Sequence, residues 1–373
     1  MIFKKISLLS MAILVPAMGQ AKTNEISLTT MLGSDSNPYK FAHQYAVEAS
    51  QYMDLDLKGK VYISKRWSSV LQWQTRQYQQ SDDWADKEKA SVALQYKGRS
   101  KKHPSAFEVH LEQQDKTYVS RLNGGLSTYS GESLDDRYDY TQLNLKWQKQ
   151  YKLNKGLAWQ YEVKFKQKNY QDFNSLDITD LDYRTLTLGN VFEHKINKRQ
   201  KDEFSVDVSY RLYTHREKVD ISGADMANTQ LGYIDAALAY EHTLKISKRH
   251  KLAMALGYDK RVDNGSGYYD NQKAKIEFRS RYRLSGKGSL TTSYQFSDFA
   301  YDRESNQGQA GTIDEYSANQ KHQLKFNGKV SLRAYLPLNA QWLMGYRFEQ
   351  VKADKAQYSY ERHQLETGLK FEM

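Results

Sequence analysis

Hydrophobic and polar residues alternate along most of this chain. In "LAWQYEVKFKQ", Leu157, Trp159, Tyr161, Val163 and Phe165 hold one parity, and Ala158, Gln160, Glu162, Lys164 and Lys166 hold the other. A strand so patterned has one apolar and one wet face. The same alternation runs through Met53, Leu55 and Leu57, through Ala90, Val92, Leu94 and Tyr96, and through Phe107, Val109 and Leu111. It continues in Phe204, Val206, Val208 and Tyr210, in Leu252, Met254, Leu256 and Tyr258, and in Trp342, Met344, Tyr346 and Phe348. Such runs outlast the roughly five or six residues of an average soluble strand. A strand tilted about 45° across hydrocarbon needs roughly nine to eleven. The pattern therefore predicts strands that cross lipid, with Trp159 and Phe165 facing it.

The connections alternate as well. Short basic turns recur: "SKRW" from Ser64, "KGRSKKHP" from Lys97, "KLNKG" from Lys152, "NKRQK" from Asn197, "SKRH" from Ser247, "SGKG" from Ser285 and "PLN" from Pro337. Between them lie longer, more acidic segments, such as "SDDWADKE" from Ser81, "SGESLDDRYD" from Ser130, "DFNSLDITDLD" from Asp172 and "DRESNQGQAGTIDE" from Asp302. Short turns at one end and long loops at the other predict an all-β fold, a transmembrane antiparallel up-and-down β-barrel. Seven short turns and a first strand near Ile26 to Leu32 give about sixteen strands. Fourteen follow if the first segment is a plug or "FEVHLEQQDKTYVSRLNGG" is misread. Closure removes every sheet edge, as lipid demands.

Composition agrees with one long cooperative unit. Among 373 residues there are four prolines, no cysteine, and 29 Tyr against 13 Phe. A hydrophobic content of 39% and a mean hydropathy of −0.82 leave too few aliphatic residues for a large soluble core. At the start, Lys4 and Lys5 precede an apolar run from Ile6 to Val15, then Gly19 and Ala21 at the −3 and −1 positions of a cleavage site. This is the form of a secretory signal peptide over residues 1–21, leaving 22–373 as a single barrel. Export without cysteine fits the Gram-negative outer membrane.

The wet parity supplies the candidate chemistry. It places Lys275, Glu277, Arg279, Arg281 and Arg283 on one strand and Glu162, Lys164 and Lys166 on another. A third carries Lys325, Lys329 and Arg333. Asp54, Asp56, Glu108, Glu112, Asp235 and Glu241 oppose them. The candidate pore-lining set is Glu162, Lys164, Lys166, Arg279, Arg281, Arg283, Lys325, Lys329 and Arg333. A wall charged in both signs reads as an aqueous channel with an electrostatic constriction. The competing reading is a filled barrel whose charges pair internally, but sixteen strands are too wide for side chains to close.

Anion preference stays open. The arginine wall attracts anions, while the acidic loops repel them. The formal charge of +11 includes Lys4, Lys5 and many turn residues. Tyrosines in the lumen could stack on sugar rings, although most are expected in the interfacial girdles.

Enzymatic readings find little. The nine histidines are scattered, with no HExxH or GxSxG. Glu241 and His242 fall on opposite strand faces, and the acidic runs "DITDLD" and "DDWAD" read as solvated loop charge. No catalytic residue, cofactor or metal site is expected, and nothing resembles a nucleic-acid motif.

Near the end, Leu365, Leu369, Phe371 and Met373 share one face. This resembles the terminal strand by which outer-membrane barrels are recognised for assembly, with Met373 where Phe or Trp is usual. "LRAYLPLN", Leu332 to Asn339, with the closing strand pair resembles the end of the monomeric OmpG-type porins, which pass oligosaccharides through a single fourteen-stranded pore. That resemblance implies a monomer rather than a trimer, a fairly non-selective channel, and Arg333 as a residue narrowing it. The expected function is passive diffusion of hydrophilic solutes, oligosaccharides foremost. The alternative is a surface adhesin or receptor, or an assembly barrel, acting through the acidic outer loops. Expected partners are outer-membrane lipid and lipopolysaccharide, the assembly machinery and the solutes themselves.

Overall fold

The computed structural model describes residues 24–40, 48–79, 86–100, 102–116, 128–129, 132–133, 136, 138–170, 181–220, 224–284, 288–301, 318–333 and 339–373. The first strands are β1 (Glu25–Asp35), β2 (Ser50–Tyr62), β3 (Trp67–Tyr78), β4 (Lys87–Lys97) and β5 (Ser105–Lys116). A small hairpin, β6 (Thr128–Tyr129) and β7 (Glu132–Ser133), precedes β8 (Tyr140–Lys152), β9 (Leu157–Tyr170), β10 (Tyr183–His194) and β11 (Gln200–Tyr213). A second small hairpin, β12 (Lys218–Val219) and β13 (Asp225–Met226), leads to β14 (Gly232–Lys245), β15 (His250–Asp263) and β16 (Asn271–Leu284). The last are β17 (Gly288–Tyr301), β18 (Asn319–Ser331), β19 (Asn339–Ala353) and β20 (Tyr360–Glu372).

Setting the two hairpins aside, sixteen strands form one closed antiparallel barrel in which chain neighbours pair and β1 closes on β20. The count answers the strand-number question: β1 is a wall strand rather than a plug, and "FEVHLEQQDK" lies in β5. Residues 117–127, the leader stretch 1–21 and 334–338 of "LRAYLPLN" lie outside the described residues. Sixteen strands also depart from the fourteen that the OmpG-type resemblance implies.

Wall strands run from 11 residues in β1 to 15 in β19. Eleven residues rise about 36 Å, and at about 45° of tilt they span roughly 26 Å, the height of an outer-membrane apolar band. Burial is inverted relative to a soluble protein. Leu188 and Leu365 on the outer face are 52% and 63% exposed, whereas Asp35 and Glu349 on the inner face are 0% exposed. Trp159 stacks with Tyr151 and Phe192 on the outside near the short-turn end, forming part of an aromatic girdle. Closed barrels that are apolar outside and polar inside are the form in which chains cross the Gram-negative outer membrane. This fold places the chain there.

One device recurs at each end. In the short turns, Asn154 Oδ1 accepts the N–H groups of Gly156 and Leu157, both at 2.8 Å. Asn197 Oδ1 does the same for Arg199 and Gln200. Ser64 and Ser247 use their hydroxyls in the same way. These side chains replace ladder partners that the turning backbone has lost. At the long-loop end, the aspartate just before a strand accepts an N–H from the end of the strand it follows. Tyr78 donates to Asp86 at 2.8 Å, Lys116 to Asp139 at 2.6 Å, Tyr170 to Asp182 at 2.6 Å and Asp263 to Asp270 at 2.7 Å. Part of the loop acidity is thus spent on closing hairpins.

Candidate pore

Strand register assigns every inward residue. Leu186 pairs with Phe165 on the outer face, so Gly189 opposite Glu162 is inside. Following the pairs around the wall places Glu162, Lys164 and Lys166 on the inner parity of β9. Arg279, Arg281 and Arg283 take the inner parity of β16, and Lys325 and Lys329 that of β18. Arg333 is different: it lies beyond the end of β18, exposed in the turn, where its N–H reaches Ser331 Oγ at 3.4 Å. Counting parity past Ser331 carried it onto a wall that has already ended.

Much of the inner wall neutralises itself. Glu162 lies between Lys146 at 2.5 Å and Lys164. Gly189 opposite it has no side chain, and Asp207 Oδ1 fills the space, 2.5 Å from where a Cβ would stand. Lys89 meets Glu112 at 2.7 Å, Arg261 meets Asp235 at 2.6 Å and Arg76 meets Asp54 at 2.5 Å. Glu349 gathers Lys321 at 3.1 Å, Arg347 at 2.5 Å and Lys40 at 3.4 Å, and accepts from Tyr360 OH at 2.5 Å. Arg279 reaches Glu277 at 2.9 Å and Glu241 at 3.7 Å. Among the described residues, Arg281, Arg283, Lys325 and Lys329 have no such carboxylate.

The tyrosines divide between the two faces. Tyr140, Tyr170, Tyr183, Tyr213 and Tyr233 stand on the inner parity at the long-loop ends of successive wall strands β8, β9, β10, β11 and β14. Tyr183 to Tyr213 is 5.7 Å between ring centres, Tyr213 to Tyr233 is 5.5 Å, and Tyr233 to Tyr269 is 5.7 Å. Cations lie against this arc: Arg211 over Tyr183 at 4.7 Å, Arg261 over Tyr233 at 4.6 Å, and Lys168 over Tyr140 at 3.5 Å. Cation and ring attract electrostatically.

Val219 and Leu231, from the connection carrying β12 and β13, pack on the arc with Tyr269. Asp263 holds the neighbouring connection by accepting the N–H groups of Gly265, Gly267 and Tyr269. Gly267 has φ +81, a conformation other residues rarely adopt. The mouth is therefore lined on one side by an aromatic, basic arc with chain folded over it. The sequence signal was present but slight: a single aromatic on the wet parity at each strand's long-loop end.

Comparison with known proteins adds little to this geometry. No family model matches the chain, and no curated protein does. Solved structures do resemble it. OccAB1 of Acinetobacter baumannii is 9% identical at a TM-score of 0.48, over 94% of this chain and 96% of that one. OprD of Pseudomonas aeruginosa is 10% identical at 0.47, over 96% and 97%. An anion-selective porin from Comamonas acidovorans is 10% identical at 0.44, over 94% and 99%. Nothing about solutes passes from these proteins to this chain at such identities. Among the described residues, no three His, Asp or Glu side chains are grouped to hold a metal.

Proposed function

We propose that the chain is an outer-membrane porin, made as residues 22–373 behind a signal peptide, that lets hydrophilic solutes diffuse passively as a monomer. The observation that carries this reading is a sixteen-strand wall whose inner parity is polar and charged from β1 to β20. Barrels of this width generally enclose water. Glu162, Lys164, Lys166, Arg279, Arg281, Arg283, Lys325 and Lys329 line the passage, with Arg333 at its short-turn rim. Oligosaccharides fit the tyrosine arc, because aromatic faces and cations suit sugar rings and hydroxyls. No chemistry on the solute is required, so the channel is not an enzyme.

Single-channel recording of the refolded, signal-free protein in a planar bilayer tests this. Stable open steps are expected. A folded barrel that never conducts would refute the porin and redirect attention to the loops, as in an adhesin.

A further inference from the structure

Strand β17 differs from its neighbours. Its inward residues include Ser289, Thr291, Ser293, Gln295 and Ser297, so the wall there is low and hydroxyl-rich. The flanking strands are basic. Register aligns Lys329, Ser289 and Arg283 in one row, and Lys325, Ser293 and Arg279 in another. Between these rows, Thr291 stands beside Arg281, and Arg281 beside Lys251 of β15. Because β16 and β18 sit either side of β17, the two basic rims are about 10 Å apart at the backbone. The result is a trough with a hydroxyl floor.

A cavity of about 470 Å³ occupies this place, lined by Lys251, Arg279, Arg281 and Lys329 on its basic side. That volume lies in the range of about 300–1,000 Å³ usual for small-molecule sites. Its far side carries Met31, Leu343 and one carboxylate, Glu366. Glu366 accepts from Tyr52 OH at 3.0 Å and lies over Gly345, whose missing Cβ makes room, and among the described residues it forms no ion pair with the basic side. Several inner-wall cations elsewhere meet carboxylates at 2.5 to 3.1 Å. In the trough Arg279 is held by Glu277 and Glu241. Among the described residues Lys251, Arg281 and Lys329 meet no carboxylate, which leaves three positive charges for a solute to neutralise.

We propose that this trough binds short acidic saccharides, solutes of one or two sugar rings bearing carboxylates. The two rims supply charge-assisted hydrogen bonds to carboxylates. The serine and threonine floor meets ring hydroxyls, and Met31 with Leu343 offers an apolar surface to the C–H face of a ring. The proposal names the solute class for the pore proposed above and depends on that pore for access.

Calorimetric titration of the full barrel in detergent micelles with digalacturonate, maltose and inorganic phosphate tests the site apart from conduction. Digalacturonate is expected to bind, maltose not to, and phosphate to bind more weakly than digalacturonate. The double variant Arg281→Gln/Lys329→Gln should weaken digalacturonate binding about tenfold. Neither side chain holds a carboxylate that its loss would strand. Lys97→Gln, which removes one positive charge from the inner face of β4 across the barrel, should leave binding unchanged. Digalacturonate binding no better than maltose, or weakened equally by both variants, overturns the proposal. Phosphate binding as tightly as digalacturonate overturns the saccharide class. Binding as expected in a barrel silent in bilayers would uphold the site while removing the pore.

Discussion

Asp35 stands at the seam where the first strand meets the last, and it is the group whose loss should be most costly. It is 0% exposed. Arg362 Nε donates to both of its oxygens at 2.9 and 3.0 Å, and a second guanidinium nitrogen also reaches it. Gln364 adds a bond at 2.8 Å, Tyr78 OH one at 3.1 Å and the Asn37 N–H one at 3.1 Å. Asp35→Ala would leave a guanidinium, in a side chain only 8% exposed, without its partner. Breaking a buried ion pair costs about 3–5 kcal/mol. Stranded neutral donors add to this at about 1 kcal/mol each, while water entering from the mouth returns part. The net expectation is about 4 kcal/mol.

Urea titration of the micelle-folded protein, followed by tryptophan fluorescence, would measure the loss. Removing both charges in Asp35→Leu/Arg362→Met should recover at least half of it, giving a coupling energy of about 2–3 kcal/mol. A loss under about 1 kcal/mol for Asp35→Ala, or a double variant as unstable as the two single losses added together, would refute the reasoning.

Three further outcomes are expected. Leu238→Arg on the outer face should destabilise the protein by about 2–4 kcal/mol. Ala237→Arg, one residue away and facing Asp207 and Asp259 across the ladder, should cost far less; the reverse order in urea midpoints would mean the faces are misassigned. Asn197→Ala removes three side-chain hydrogen bonds of the turn and should cost about 1–2 kcal/mol, seen as a lower melting temperature. Gly189→Val must displace Asp207, lowering stability by about 1–3 kcal/mol and reducing single-channel conductance. If neither changes, the close approach at 189 is immaterial.

The wall was legible in the sequence because its signal is local. Leu157, Trp159, Tyr161, Val163 and Phe165 declare a face within one strand, and a period of two leaves no choice about the other. The charged residues of β9, β16 and β18 followed from the same parity. What depends on distance was hidden. Asp35 and Arg362 meet from 327 positions apart, and no pattern near either points to the other. Tyr183 and Tyr213 share parity with Thr185 and Asp207, yet their aromatic character argued for a lipid-facing girdle. Parity turns them inward, and the chain folded over the arc gives their rings a surface to pack against. Arg333 shows the opposite failure, since parity has meaning only while the strand lasts and β18 ends at Ser331.

The aspartates that precede β4, β8, β10 and β16 have an evolutionary consequence. Each ties the two strand ends of its hairpin together with a single carboxylate. That tie joins Tyr78 to Asp86 and Lys116 to Asp139 directly, so a change in the length of either connection leaves this fastening of the wall in place. On a surface sampled by antibodies and phage, such a frame allows rapid turnover of the outward face while the passage beneath stays the same.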